Sequence, residues 1–155
     1  MTTKRTFATG ALAIAALGLL AVALAMKAAP AASRFEVLVA QARQRTRSIS
    51  VPALQARIEA GEGGFVLIDV REDPEWAAGG LPGAIHLGKG VIERDIEKAV
   101  PDPRSEIILY CAAGARSVLA AESLQRMGYT NVYSLEGGMR AWLGSSPIAK
   151  RAEAP

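Results

Sequence analysis

Residues 107–117 read Ile107-Ile108-Leu109-Tyr110-Cys111-Ala112-Ala113-Gly114-Ala115-Arg116-Ser117. Four consecutive apolar residues followed at once by small ones predict a strand buried on both faces that ends at Cys111. A helix is predicted next, over 117–127. Val118, Leu119, Ala121 and Leu124 are available to pack, and Gly128 stands where a left-handed cap would close it.

The flanking sequence repeats this alternation. Phe65-Val66-Leu67-Ile68, closed by Asp69, is another doubly buried strand, and Ala84-Ile85-His86-Leu87 and 131–135 are further strands. A helix starts at Ser50-Val51-Pro52, uses Leu54 and Ile58 as its apolar positions, and closes at Gly61. A short turn of helix covers 74–78, and Val91, Ile92, Ile96 and Val100 share one helical face. A last helix spans 139–143, after the turn Gly137-Gly138. Strands separated by single helices predict an α/β fold, a parallel sheet with helices on both faces. Gly61-Glu62-Gly63-Gly64 precedes a strand rather than following one, so it is a turn and not a phosphate loop. Trp76 and Trp142 are assigned to the core.

The N-terminus differs in kind. No charge occurs from Phe7 to Met26, and as a helix this stretch would be roughly 30 Å long, about the hydrocarbon thickness of a bilayer. Its length favours a retained anchor, whereas Ala29-Pro30-Ala31 offers a small-residue cleavage site for a signal peptide. The chain is therefore divided into a signal peptide or transmembrane anchor (1–32), a basic juxtamembrane linker (33–48), a folded domain (49–146) and a flexible tail (147–155). Phe35, Leu38, Val39 and Ala42 give the linker helical spacing. Five bases between Lys27 and Arg47 favour a cytoplasmic domain. The charged start at Lys4 and Arg5 has the form of an export signal, and the expectation taken is a membrane-anchored or exported domain facing the extracytoplasmic side.

Charge follows the same division. Residues 1–49 hold seven Lys/Arg against one acid, and residues 50–155 eleven against fourteen. The folded part is thus mildly acidic and lacks a basic stripe, which excludes a nucleic-acid partner, while the basic flank suits an anionic membrane surface.

In an open parallel sheet, ligands bind beyond the carboxyl ends of the strands, and Cys111 sits at such an end. One cysteine and one histidine preclude an intramolecular disulfide and argue against structural zinc. The small residues Ala112, Ala113, Gly114 and Ala115 let the backbone curl and aim N–H groups inward. The following helix adds its positive end, and Arg116 a full charge at the rim. Together these predict a thiolate with a pKa below the ordinary value of about 8.5. An ionised sulfur in an anion-binding cradle is a nucleophile for an electrophilic sulfur or phosphorus centre. The alternative, an inert buried cysteine, fits the strand end, the small-residue loop and the helix entry less well.

Residues 62–143 resemble rhodanese domains in order and spacing. The resemblance is carried by 67–72 (LIDVRE), 80–86 (GLPGAIH), Tyr110-Cys111 through Arg116-Ser117, and 135–139 (LEGGM) with Ala141-Trp142. It implies a rhodanese-like α/β fold with a five-stranded, mostly parallel sheet, a persulfide on Cys111, and thiosulfate or another sulfane-sulfur donor as substrate. Related phosphatases have five residues between the cysteine and the arginine. Here there are four, which suits a persulfide better than a phosphate.

The expected acceptor is cyanide, a thiol or a protein, with no metal or organic cofactor. Relatives that grip thiosulfate carry cations inside the loop, where this chain has Ala112 and Ala113. Anion binding then falls on the loop amides, Arg116 and Arg71, with Asp69 supporting the site by accepting backbone hydrogen bonds. His86 is expected to be structural, and Gly80 stands where relatives often have histidine. A second reading is a sulfur-carrier or redox-relay module that docks a partner protein and turns over slowly alone.

Overall fold

The computed structural model describes residues 32–145. Along them run α1 (Arg34–Arg45), β1 (Arg47–Ile49), α2 (Val51–Glu59), β2 (Phe65–Asp69), α3 (Asp73–Ala77), β3 (Ile85–His86), α4 (Ile92–Ala99), β4 (Glu106–Tyr110), α5 (Ala115–Arg126), β5 (Val132–Leu135) and α6 (Gly138–Ser145). The strands make one sheet in the order β1-β5-β4-β2-β3, each neighbouring pair parallel.

β4 shows why an uninterrupted apolar run was needed. Ile107 and Leu109 face one side, Ile108 and Tyr110 the other, and all four are fully buried. On the first side they meet Ile92 and Ile96 of α4 and Ala120, Ala121 and Leu124 of α5. On the second they meet Val51 and Leu54 of α2, with Met139 and Trp142 of α6 packed alongside. Helices cover both faces, so the central strands are apolar on both faces until Asp69 and Ser134 near their carboxyl ends. Asp69 lies level with Tyr110, and Leu109 with Ser134. The carboxyl ends of β2, β4 and β5 therefore finish together, and their loops meet at one edge of the sheet.

The four strands expected from the sequence are present, within two residues of their predicted bounds. Ser50 caps α2 as expected, its side chain accepting the Ala53 N–H. The fifth strand that the resemblance implies is the edge strand β1, whose place in the chain was not expected. The segment read as a linker forms a helix and then this strand. Val39 and Ala42 are buried where α1 packs on α5, and Arg45 pairs with Glu122 at 2.6 Å. Arg47-Ser48-Ile49 has no apolar run to announce it. Its register comes from β5, with Arg47 bonded to the Thr130 carbonyl, Asn131 and the Tyr133 hydroxyl.

The predicted anchor or signal at 1–32 lies outside the described residues except for its last residue, and the tail at 147–155 lies wholly outside. Among the described residues no helix is long and apolar enough to cross a membrane.

Candidate active site

β4 delivers Cys111 to the carboxyl edge of the sheet, where it is 1% exposed. Gly114 then takes φ +91°, a left-handed turn that suits glycine, and α5 starts at the next residue. The helix thus begins two residues earlier than predicted, tight against the loop.

The loop is oriented from outside. The N–H of Met139 donates to the Cys111 carbonyl at 2.8 Å, and that of Arg140 to the Ala112 carbonyl at 3.0 Å. In a trans peptide the C=O and N–H point opposite ways, so fixing these two carbonyls onto α6 turns the N–H groups of Ala112 and Ala113 away from α6. Gly138 makes the approach possible. It holds φ +57°, and a Cβ there would overlap the Cys111 carbonyl oxygen.

Donors from the loop and from the start of α5 converge on the sulfur. The Gly114 N–H reaches Sγ at 3.1 Å and the Ser117 hydroxyl lies at 3.7 Å. Ser117 is itself positioned by the Gly114 carbonyl at 3.2 Å and by Ser134 Oγ at 2.8 Å. Burial pushes the Cys111 thiol up, but the amides of Ser117, Ala113 and Gly114 and the Ser117 hydroxyl outweigh it, leaving the thiol below its ordinary value. Main-chain dipoles and the Ser117 hydroxyl, more than a neighbouring cation, stabilise the anion.

Arg116 does not present the free charge expected at the rim. Its Nη1 and Nη2 donate to the two carboxylate oxygens of Glu75 at 2.6 and 2.8 Å. Arg116 is held above its ordinary pKa first by Glu75 and further by the negative Cys111 sulfur.

Arg71 is 7% exposed and turned inward. Its Nε and Nη2 bond Asp69, and Nη2 also reaches the Gly79 carbonyl at 2.6 Å. Asp69, fully buried, accepts the Arg71 N–H at 2.9 Å together with this ion pair. His86 has a structural setting. Nε2 lies 2.9 Å from the Arg71 carbonyl, and its ring stacks on Trp76 with centroids 5.4 Å apart. A Cβ at Gly80 would run into the Trp76 indole, which gives the missing side chain there a packing reason.

Reasoning from sequence missed Ser117 as a ligand of the sulfur, Ser134 behind it, Glu75 opposite Arg116, and Gly138 as more than a turn residue. Only Gly137-Gly138 carried a signal, a doubled glycine just after a strand.

A model of the rhodanese-like domain matches residues 50–145. The chain belongs to the rhodanese family. Among its rhodanese relatives, the Bacillus subtilis protein named "Putative sulfurtransferase YtwF" is 40% identical over 100 residues, covering 64% of this chain and 93% of the relative. The thiosulfate sulfurtransferase GlpE of Pseudomonas fluorescens is 37% identical over 86 residues, 56% of this chain and 77% of the relative. Among solved structures, the Rhodopseudomonas palustris protein RPA3614, called a possible tyrosine phosphatase, superposes with a TM-score of 0.64 at 26% identity, over 82% of this chain and 98% of that one. The family match and the two sulfurtransferase relatives make the chain a rhodanese-like sulfurtransferase by family.

Proposed function

We propose that this sulfurtransferase carries sulfur as a persulfide on Cys111, taken from thiosulfate or a persulfide donor and passed to cyanide, a thiol or a protein. The observation that carries the reading is the bond from the Gly114 N–H to Sγ within a loop whose carbonyls are fixed elsewhere. The thiolate attacks the outer sulfur of thiosulfate. A new S–S bond forms at Sγ, the old one breaks, and its electron pair leaves with sulfite. The amides that held the thiolate then hold the persulfide anion. Attack by cyanide on the outer sulfur returns the electron pair to Sγ and releases thiocyanate. The two half-reactions share one covalent intermediate, so the kinetics are ping-pong.

Phosphate chemistry fits less well. Hydrolysis calls for an acid to protonate the leaving group. Glu75, the carboxyl at the Arg116 rim, is held down to about 2 by the Arg116 guanidinium and is ionised at neutral pH. The loop between Cys111 and Arg116 is also one residue shorter than in the related phosphatases.

The test is intact-mass analysis after exposure to thiosulfate. The wild type gains one sulfur atom and loses it to cyanide as thiocyanate, and Cys111→Ser does neither. Sulfur uptake that survives in Cys111→Ser would overturn the reading. Persulfide formation without thiocyanate turnover would instead support a carrier that docks a partner, a role favoured by Ala112 and Ala113 in the loop. The apolar run from Phe7 to Met26 supports membrane attachment or export, and the charged start at Lys4 and Arg5 supports a domain facing outward. Fractionation of the full chain and protease access from the outer side test that placement.

A further inference from the structure

An anionic donor must approach a sulfur that is already negative, and the cation placed to offset this is Arg116. Its fork is closed on both oxygens of Glu75, and Nη1 also lies 3.5 Å from Glu72. Glu75 is fixed from behind. It accepts the Glu72 N–H at 3.1 Å in the capping box that begins α3. The pair sits at the surface, Arg116 28% and Glu75 34% exposed, and brings no net charge to the loop. Arg71 is spent on Asp69, and Ala112 and Ala113 add nothing. Arg43, which approaches Gly114 from α1, lines the same cavity as Glu136.

We infer that Glu75 determines donor specificity: by holding Arg116 it disfavours doubly charged donors such as thiosulfate relative to singly charged ones such as a persulfide or a thiosulfonate. The inference rests on the proposal that Cys111 is the sulfur-transfer nucleophile. Glu75 acts through Arg116 and touches no reacting atom, so it is a positioning residue. Coulomb attraction to a released guanidinium is proportional to donor charge. Whatever factor a monoanion gains, a dianion gains its square. At partly exposed positions such effects are modest, about threefold for a monoanion and about tenfold for a dianion.

Thiosulfate and methanethiosulfonate provide the comparison. Both give the same outer sulfur to Cys111, and the electron pair leaves with sulfite in one case and methanesulfinate in the other. Glu75→Gln keeps an oxygen for the Glu72 N–H but no charge. It is expected to raise kcat/KM about tenfold for thiosulfate and about threefold for methanethiosulfonate, the gap closing as salt is raised. Glu75→Ala carries the same expectation should the glutamine variant fold poorly. Glu75→Asp keeps the carboxylate and the wild-type ratio, which a merely structural role would not require. A donor ratio unmoved at low salt in active, folded Glu75→Gln or Glu75→Ala overturns the inference alone. Failure of the wild type to load Cys111 from either donor overturns the sulfur-transfer proposal and this inference with it.

Discussion

The N–H of Met139 donates to the carbonyl of Cys111 at 2.8 Å, so a helix outside the loop decides which way the Cys111 loop faces. The peptide plane transmits the constraint, since a carbonyl held outward obliges its N–H to turn inward.

Gly138→Ala should therefore damage the sulfur site from a distance. The new Cβ overlaps the Cys111 oxygen, and a left-handed φ costs an L residue a further 1–2 kcal/mol or so. The expected outcome is a lower melting temperature together with a higher thiol pKa. The latter is read from the pH dependence of iodoacetamide alkylation. A normal alkylation profile in the folded variant would show that the α6 contacts do not set the loop.

Ser117→Ala removes a hydroxyl that faces the sulfur and leaves Ser134 Oγ buried without that partner. Loss of a buried hydrogen-bond partner costs about 1–3 kcal/mol. The thiol pKa should rise, though not to that of a free cysteine, because the amides of Ala113, Gly114 and Ser117 remain. Chemical denaturation and thiol titration of the same sample check both expectations.

Arg71→Lys tests whether that residue is structural or touches substrate. A lysine cannot reproduce the two-pronged contact with Asp69, which is fully buried. Removing a partner from a buried pair costs about 3–5 kcal/mol, and lysine, which keeps the charge, should lose part of that. Per folded molecule, KM for thiosulfate should be unchanged. A specific rise in KM with intact stability would assign Arg71 to the donor.

Glu75 also leaves a signature in acid. Its carboxyl sits at about 2 in the fold, below its ordinary value of 4.5, so the pair with Arg116 adds stability above the ordinary value and loses it as pH falls toward 2. Because the group is about a third exposed, screening reduces the effect to about 1 kcal/mol. Between pH 4.5 and 2 the wild type should lose that much more stability than Glu75→Gln, as measured by urea unfolding.

Much of this molecule was legible in its residues. Runs such as Leu67-Ile68 and Ile107-Ile108-Leu109 cannot be anything but doubly buried when helices alternate with them, because each face of the strand must meet hydrocarbon. The position of Cys111 followed from the same logic, since a strand end, a loop of small residues and a helix start are all local features. β1 escaped because three residues with an arginine, a serine and one isoleucine carry no periodicity, and only the β5 edge gives them a register.

The sequence by itself determined the alternation of elements, the doubly covered sheet and the cysteine at its carboxyl edge, because each depends on neighbours within a few residues. Tertiary structure alone decided what surrounds the sulfur. Glu75 meets Arg116 across 41 residues and Met139 meets Cys111 across 28, and nothing in the local pattern announces either partner. An arginine in a motif is a charge; whether that charge is available depends on which carboxylate the fold places against it.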